Sequence, residues 1–193
     1  MRVYFILLFI PVVSCGQIHS RLDLQKYFIV NLNESICINE KNCFYFNTDS
    51  SVSYLEMYYA AVNESKEFID SVEFSPYKSR IYSFESQKES VYVVLWEIKY
   101  EYFPILIAYY VADGKLVRMG ELNISLPCQS CEGFEYPIKD IQIIEKKDRI
   151  EISFLKSVNY REIDTQQWKE YKQGTLMFYF NILSKEFKAN SDI

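Results

Sequence analysis

Hydrophobic and polar positions alternate along the segment "SVYVVLWEIKYEY", residues 90–102. Alternation with a period of two places successive side chains on opposite faces of a β-strand. One face would carry apolar and aromatic side chains, and the other would carry charged side chains that we expect to be solvated. The first set is Tyr92, Val94, Trp96, Ile98, Tyr100 and Tyr102, and the second is Glu97, Lys99 and Glu101. The segment therefore predicts a half-buried strand.

Three pairs of apolar segments follow, each pair joined by a short polar connection. The first turns at Asp113-Gly114, a dipeptide that readily adopts the positive φ angles of a type I′ turn. The second turns at "EKKDR", residues 145–149, and the third near Ser184-Lys185. Successive hairpins indicate an antiparallel meander, folded as a sandwich or as a small barrel-like or propeller-like sheet. The pairs lie within residues 104–126, 140–155 and 174–189.

The chain before residue 80 shows a different pattern. Apolar and aromatic residues recur at helical spacing within residues 53–72, and Ser53 and Glu56 have the spacing of a capping box. These features predict a helix over 53–72, whereas residues 22–33 fit either a helix or a strand. The predicted fold class is therefore mainly β with a minor helical N-terminal part. The helical stripe is Tyr54, Tyr58, Ala61, Val62, Ile69 and Val72.

The N-terminal residues are predicted to form a targeting signal. Arg2 precedes the apolar run 3–13, which is too short to span a bilayer and has the length of a signal-peptide core. Pro11 would end its helix just before the sequence Val12-Val13-Ser14-Cys15. These four residues resemble the lipobox of bacterial lipoproteins. The resemblance covers only about the first 15 residues.

The lipobox resemblance implies cleavage before Cys15 and a diacylglyceryl group on its thiol, often with an acylated amine. Gly16, which is not acidic, implies transfer to an outer membrane if the cell has two membranes, and the lack of an acidic cluster in "GQIHSR" implies its periplasmic face. The expected organisation is a signal peptide at 1–14, a lipidated tether at 15–21 and a single β-rich domain at 22–193. A plain secretory signal and a buried N-terminal strand of a cytosolic protein are the alternatives.

Composition excludes several functional classes. The chain of 193 residues has a net charge of −5 and no dense basic stripe, which disfavours nucleic-acid binding. With five glycines, it contains neither of the common glycine-rich phosphate-binding motifs. Its single histidine, His19, lies in the predicted tether, which argues against a histidine-dependent hydrolase. We expect no cofactor.

Four further cysteines form two close pairs, Cys37 with Cys43 and Cys128 with Cys131. An even number of cysteines in an exported protein favours disulfides. Turn-forming residues accompany both pairs, so we favour the two local bridges. The alternative links the two regions, for example through Cys37 and Cys128.

Two chemical roles compete with structural disulfides. The CxxC of Cys128 and Cys131 could serve thiol–disulfide exchange, although Gly133 and Pro137 leave little room for the helix that would lower a thiol pKa. All four thiolates could instead bind zinc, although the five-residue gap between Cys37 and Cys43 is loose for such a site. An oxidising compartment also disfavours free thiolates.

Paired carboxylates and tyrosine-rich segments remain as candidate binding features. Glu97 with Glu101 and Glu132 with Glu135 are spaced as on solvated surfaces, and we assign them no role. The segments "MYY", "YEYF" and "AYY" could form a stacking platform for a glycan or a peptide, although strand alternation explains most of them as core. The resulting hypothesis is a lipid-anchored envelope protein with a non-catalytic binding or structural role; the alternative is a redox protein that uses Cys128 and Cys131.

Overall fold

The computed structural model describes a fold that consists almost entirely of antiparallel strands, which confirms the predicted fold class in its main feature. The strands form sheets of nine, four and three members. The described residues are 20–32, 34–48, 54–61, 63–73, 79–86, 91–99, 104–125, 138–162 and 165–190.

The strands of these ranges are numbered in chain order. They are β1 (Ser20–Ile29), β2 (Ser35–Cys37), β3 (Asn42–Thr48), β4 (Tyr54–Ala61), β5 (Glu67–Glu73), β6 (Ser79–Ser86), β7 (Tyr92–Lys99), β8 (Pro104–Ala112), β9 (Lys115–Glu121), β10 (Ile124–Ser125), β11 (Ile141–Glu145), β12 (Arg149–Phe154), β13 (Val158–Arg161), β14 (Trp168–Tyr171), β15 (Met177–Asn181) and β16 (Phe187–Ala189). One 3-10 turn, Ile138–Asp140, precedes β11. Strand β1 begins two residues before the predicted start of the domain.

The nine-stranded sheet curls until its two edges approach each other. Its order is β16-β15-β12-β11-β1-β6-β7-β8-β9. A Cβ atom placed on Gly120 of β9 would lie 2.3 Å from Cδ1 of Phe187 in β16, so the edge strands are in contact. The sheet thus forms a nearly closed barrel. Its interior includes Tyr82, Phe84, Val93, Leu95, Leu106, Tyr110, Ile143, Ile152, Phe178 and Phe180.

The four-stranded sheet, of order β2-β3-β4-β5, packs against the outer face of β6, β7 and β8. A second core fills the space between the two layers. The indole of Trp96 lies in this core, 5.6 Å from the ring of Phe46 between centroids. The second core includes Ile36, Phe44, Phe46, Leu55, Met57, Tyr59, Ile81, Val94, Trp96, Ile107 and Tyr109.

The three-stranded sheet, of order β10-β13-β14, adds side chains to the barrel core. Ile124, Val158 and Tyr160 are buried there. The ring of Tyr160 meets that of Phe178 edge-on at 5.5 Å between centroids. This small sheet therefore covers part of the barrel interior.

The hairpins predicted from the sequence are present. Asp113 and Gly114 have φ angles of 51° and 72°, as a type I′ turn requires. Strands β11 and β12 pair across the 145–149 turn, where Lys147 and Asp148 are exposed. Strands β15 and β16 pair across a turn in which Lys185 has a φ of 61°.

The helix predicted over 53–72 is wrong, because this segment forms β4 and β5. Leu55, Met57 and Tyr59 are buried, and this alternation has the period of a strand. The apolar residues that suggested a helix are mostly aromatic or β-branched and suit pleated surfaces better than helices. Pairing with β3 on one side stabilises the strand conformation of β4.

The prediction that one face of the segment 90–102 is solvated is also wrong for the residues of this segment that the structure describes. Strand β7 is buried on both faces, and the Glu97 side chain is 3% exposed. The Tyr82 hydroxyl donates to Glu97 Oε2 at 2.7 Å, and Arg80 Nη1 lies 3.5 Å from the same oxygen. Glu101 lies outside the described residues. A buried carboxylate is tolerated here because it is hydrogen-bonded and paired.

Substitution of Gly120 tests the contact between the barrel edges. Gly120→Ala should lower the free energy of unfolding by about 1–3 kcal/mol, because the new methyl group overlaps the Phe187 ring. That ring cannot move aside easily, since it stacks on Phe178 with a centroid distance of 5.5 Å. Urea unfolding measures the change. In a Phe187→Ala background the same substitution should cost much less; an equal cost in both backgrounds would contradict the contact.

Alkaline pH tests the buried Tyr82–Glu97 contact. Burial, together with the bond to Glu97, raises the pKa of Tyr82 to about 12 from the ordinary value of 10.0. The folded state therefore favours the neutral phenol, and this contribution to stability is complete below about pH 10 and lost as pH rises toward about 12. The Tyr82→Phe variant should lose stability less steeply across this window in urea titrations. Parallel pH profiles of the two proteins would refute the assignment.

Candidate functional site

A disulfide joins Cys37 and Cys43, which face each other across the β2–β3 pair. This confirms the local pairing predicted for these two residues and excludes a bridge from Cys37 to Cys128 in this structure. Their bonded sulfurs provide no thiolates, so the four-thiolate zinc site is not formed. Other predicted positions lie outside the described residues: Cys15, His19, Cys128, Cys131, Glu101, Glu132 and Glu135.

A cleft of about 470 Å³ opens beside the cross-linked hairpin. At its wall the Tyr92 hydroxyl donates to Glu85 Oε1 at 2.8 Å. Burial raises the pKa of Tyr92, a hydrogen bond with Asn39 opposes this, and the bond to Glu85 adds to it. Asn39 Oδ1 accepts from the backbone amides of residues 41 and 42, so it is committed to the turn. The lining is Gln25, Lys26, Cys37, Ile38, Asn39, Glu40, Glu85 and Tyr92.

The outward face of the four-stranded sheet carries an aromatic row formed by Tyr45, Tyr58 and Phe68. Tyr45 pairs in register with Tyr58, and Tyr58 pairs with Phe68, so the three rings cross three adjacent strands. The rings of Tyr58 and Phe68 meet edge-on at 5.7 Å, and Phe68 is 53% exposed. The Lys66 ammonium lies 3.8 Å from the centroid of the Tyr45 ring.

A polar row lies next to the aromatic row on the same face. Asn47, Glu56 and Ser71 are in register across β3, β4 and β5. The Tyr58 hydroxyl donates to Glu56 Oε2 at 2.7 Å, and this bond is the largest cause that raises the pKa of Tyr58. The face therefore combines aromatic surface with a carboxylate, an amide and a hydroxyl.

Charge is distributed unevenly over the molecule. The described residues of the unit that contains the four-stranded sheet, within 34–73, carry seven carboxylates and two lysines. The other described residues carry sixteen Lys or Arg and twelve Asp or Glu. The described part of residues 34–73 is thus acidic, whereas the rest of the described chain is slightly basic. The seven carboxylates are Glu34, Glu40, Glu56, Glu64, Glu67, Asp70 and Glu73, and the lysines are Lys41 and Lys66.

A hydrogen-bonded ion-pair network fastens the four-stranded sheet to the barrel. The buried Tyr109 of β8 donates its hydroxyl proton to Asp70 Oδ2 of β5 at 2.9 Å. Arg118 of β9 donates to the same oxygen at 2.8 Å and to Glu121 at 2.8 Å. Burial, and then the neighbouring Asp70, raises the pKa of Tyr109 well above its ordinary value. The network fixes β5 and therefore holds the edge of the aromatic row in place.

The tyrosine-rich segments divide between core and surface. Tyr59, Tyr109 and Tyr110 are buried, as strand alternation suggests, while Tyr58 lies on the outward face. The segment "YEYF" lies outside the described residues. Sequence reasoning missed Tyr45 and Phe68 as partners of Tyr58. These three side chains come together through the register of three strands. The only sequence signal for it was an alternation with a period of two, which was overlooked because the segment was interpreted as a helix.

Comparison with known proteins identifies no relative. No family model matches the chain, and no curated protein or solved structure matches it. In the described part of the chain, no helix has the length and apolarity needed to cross a bilayer. The described residues also contain no group of three or more His, Cys, Asp or Glu side chains placed to hold a metal ion.

Removal of the disulfide tests its role at the cleft. The Cys37→Ser/Cys43→Ser double variant should have a free energy of unfolding about 2 kcal/mol below that of the parent, because the bridge closes a small loop in the unfolded chain. Urea unfolding measures the difference. As a control, the parent protein is unfolded once without reductant and once with it. An unchanged free energy would show that the hairpin does not depend on the bridge.

Proposed function

We propose that the protein is a lipid-anchored, non-catalytic binding protein of the cell envelope. The anchor is the lipidated Cys15, and the binding surface is the outward face of the four-stranded sheet. In a cell with two membranes, the expected place is the periplasmic face of the outer membrane.

The observation that carries the binding role is the outward face itself. The inner side chains of its strands pack in the second core, so the aromatic row has no role in that core. Tyrosine offers apolar area together with a polar tip and loses little conformational entropy on binding, which suits it to recognition surfaces.

The start of β1 supports a short tether. Ser20 is the first residue of β1 and is only five residues beyond Cys15. A fully extended tether of that length reaches at most about 18 Å. Ser20 pairs with Glu145, next to the turn that exposes Lys147 and Asp148, so this turn would lie close to the membrane surface.

Replacement of the anchor residue tests the proposal. Cys15→Ser should abolish both lipid labelling and membrane association, because two or more acyl chains are what would hold such a domain stably at a membrane. Fractionation after a high-salt wash, with radiolabelled palmitate incorporation, gives both readouts. Cys128→Ser is the matched control and should stay in the membrane fraction. A Cys15→Ser protein that still sediments with membranes would refute the anchor.

A further inference from the structure

We propose that the cleft beside the cross-linked hairpin binds a short peptide whose amino and carboxyl termini are both free and charged. This site is separate from the anchor and from the outward face of the four-stranded sheet, and it depends on neither. The cleft combines a β-bulge, a stiff turn, unpaired charges of both signs and the volume of a ligand site.

A β-bulge in β1 brings two consecutive side chains to the cleft. Gln25 and Lys26 both line it, although successive side chains of a regular strand point to opposite faces. The pairing of β1 with β6 shifts between Leu24 and Lys26, and Gln25 has no partner position on β6. Bulges often lie beside active sites, where they redirect a side chain. This bulge thus adds an amide and an ammonium group to one cleft.

The turn between β2 and β3, which also lines the cleft, is stiff. The disulfide between Cys37 and Cys43 closes this hairpin. Asn39 Oδ1 accepts from the side-chain amide of Asn42 at 3.0 Å, in addition to the two backbone amides that it binds. A ligand that binds here would therefore spend little free energy on ordering this part of the wall.

Charged side chains of both signs line the cleft without pairing with one another. Lys26, Glu40 and Glu85 all line it, yet no ion pair or side-chain hydrogen bond joins Lys26 or Glu40 to another described residue. Glu85 accepts from Tyr92 through Oε1, and among the described residues its Oε2 has no partner. A ligand that carries both a cation and an anion can pair with both kinds of group. The two carboxylates suit its ammonium group, and Lys26 suits its carboxylate.

The size of the cleft and the Gln25 amide favour a peptide over a single amino acid. A volume of about 470 Å³ lies in the range of sites that enclose drug-sized ligands, and a single amino acid would fill only part of it. The Gln25 side chain offers both donors and an acceptor, as a peptide bond requires of its partner. An extended tripeptide, about 10 Å long, carries charges at its ends and amides between them.

Isothermal titration calorimetry of the full-length chain in a non-ionic detergent at neutral pH tests the proposal with three peptides. Trialanine carries both charged termini, N-acetyl-trialanine lacks the ammonium group, and trialanine amide lacks the carboxylate. Trialanine should bind. Each blocked peptide should bind about tenfold more weakly, because it loses one hydrogen bond between charged groups.

Two variants assign the ends of the bound peptide. Glu85→Gln, whose amide oxygen can still accept from Tyr92, should weaken binding of trialanine and of its amide, but not of the N-acetyl peptide. Lys26→Gln should weaken binding of trialanine and of the N-acetyl peptide, but not of the amide. The matched control is Lys41→Gln, since Lys41 is exposed on the same turn but does not line the cleft. The control should bind trialanine like the parent.

Several outcomes would overturn the proposal: no binding of trialanine, equal affinities for the three peptides, or an equal loss in Lys41→Gln. Tighter binding of glycerophosphoethanolamine than of trialanine would also overturn it, because the ligand would then be a lipid headgroup. If Glu85→Gln does not fold, the comparison of the three peptides on the parent chain still decides. The Cys15→Ser chain should bind trialanine like the parent, so loss of the anchor and loss of peptide binding are separate failures.

Discussion

Burial of β6, β7 and β8 on both faces is the constraint on which the rest of this structure depends. Alternate side chains of these strands enter the barrel core and the core beneath the four-stranded sheet. Leu95 and Trp96, neighbours in the chain, are both fully buried in different cores. If these strands come apart, side chains of both cores are exposed to water. The two cores are therefore expected to form one cooperative unit.

Strands buried on both faces must satisfy any polar group that they contain. Ser79 Oγ accepts from Trp96 Nε1 at 2.7 Å and donates to the Glu97 carbonyl at 3.0 Å. Glu97 accepts from Tyr82, and Tyr109 reaches out of β8 to Asp70 in the second sheet. The bonds of Ser79 and Glu97 join β6 to β7 within the barrel sheet, and the bond from Tyr109 to Asp70 positions the four-stranded sheet on it. The outward face of the four-stranded sheet is consequently a stiff surface, and its aromatic row is held in place before any partner arrives.

The sequence predicted the local features of this fold better than the long-range ones. Asp113-Gly114 and the Cys37–Cys43 bridge depend on residues close in the chain, and both are present as predicted. Glu97 was misplaced, because alternation in one strand does not reveal that its charged face, which also carries Val93 and Leu95, turns into the interior of the barrel. Because residues 53–72 were interpreted as a helix, the strand register that joins Tyr45, Tyr58 and Phe68 was not predicted. A contact between strands that are distant in the chain cannot be recognised from the residue pattern of either segment alone.

Hydrogen–deuterium exchange measured residue by residue shows directly whether the barrel and the four-stranded sheet, whose two cores share β6, β7 and β8, open as one rigid unit. We expect the amides of β6, β7 and β8 to exchange only through global unfolding, and those of β3 and β4 to reach the same free energy of opening. The contradictory result is a four-stranded sheet whose amides exchange at a much lower free energy while the barrel stays protected. The outward face would then belong to a layer that opens on its own.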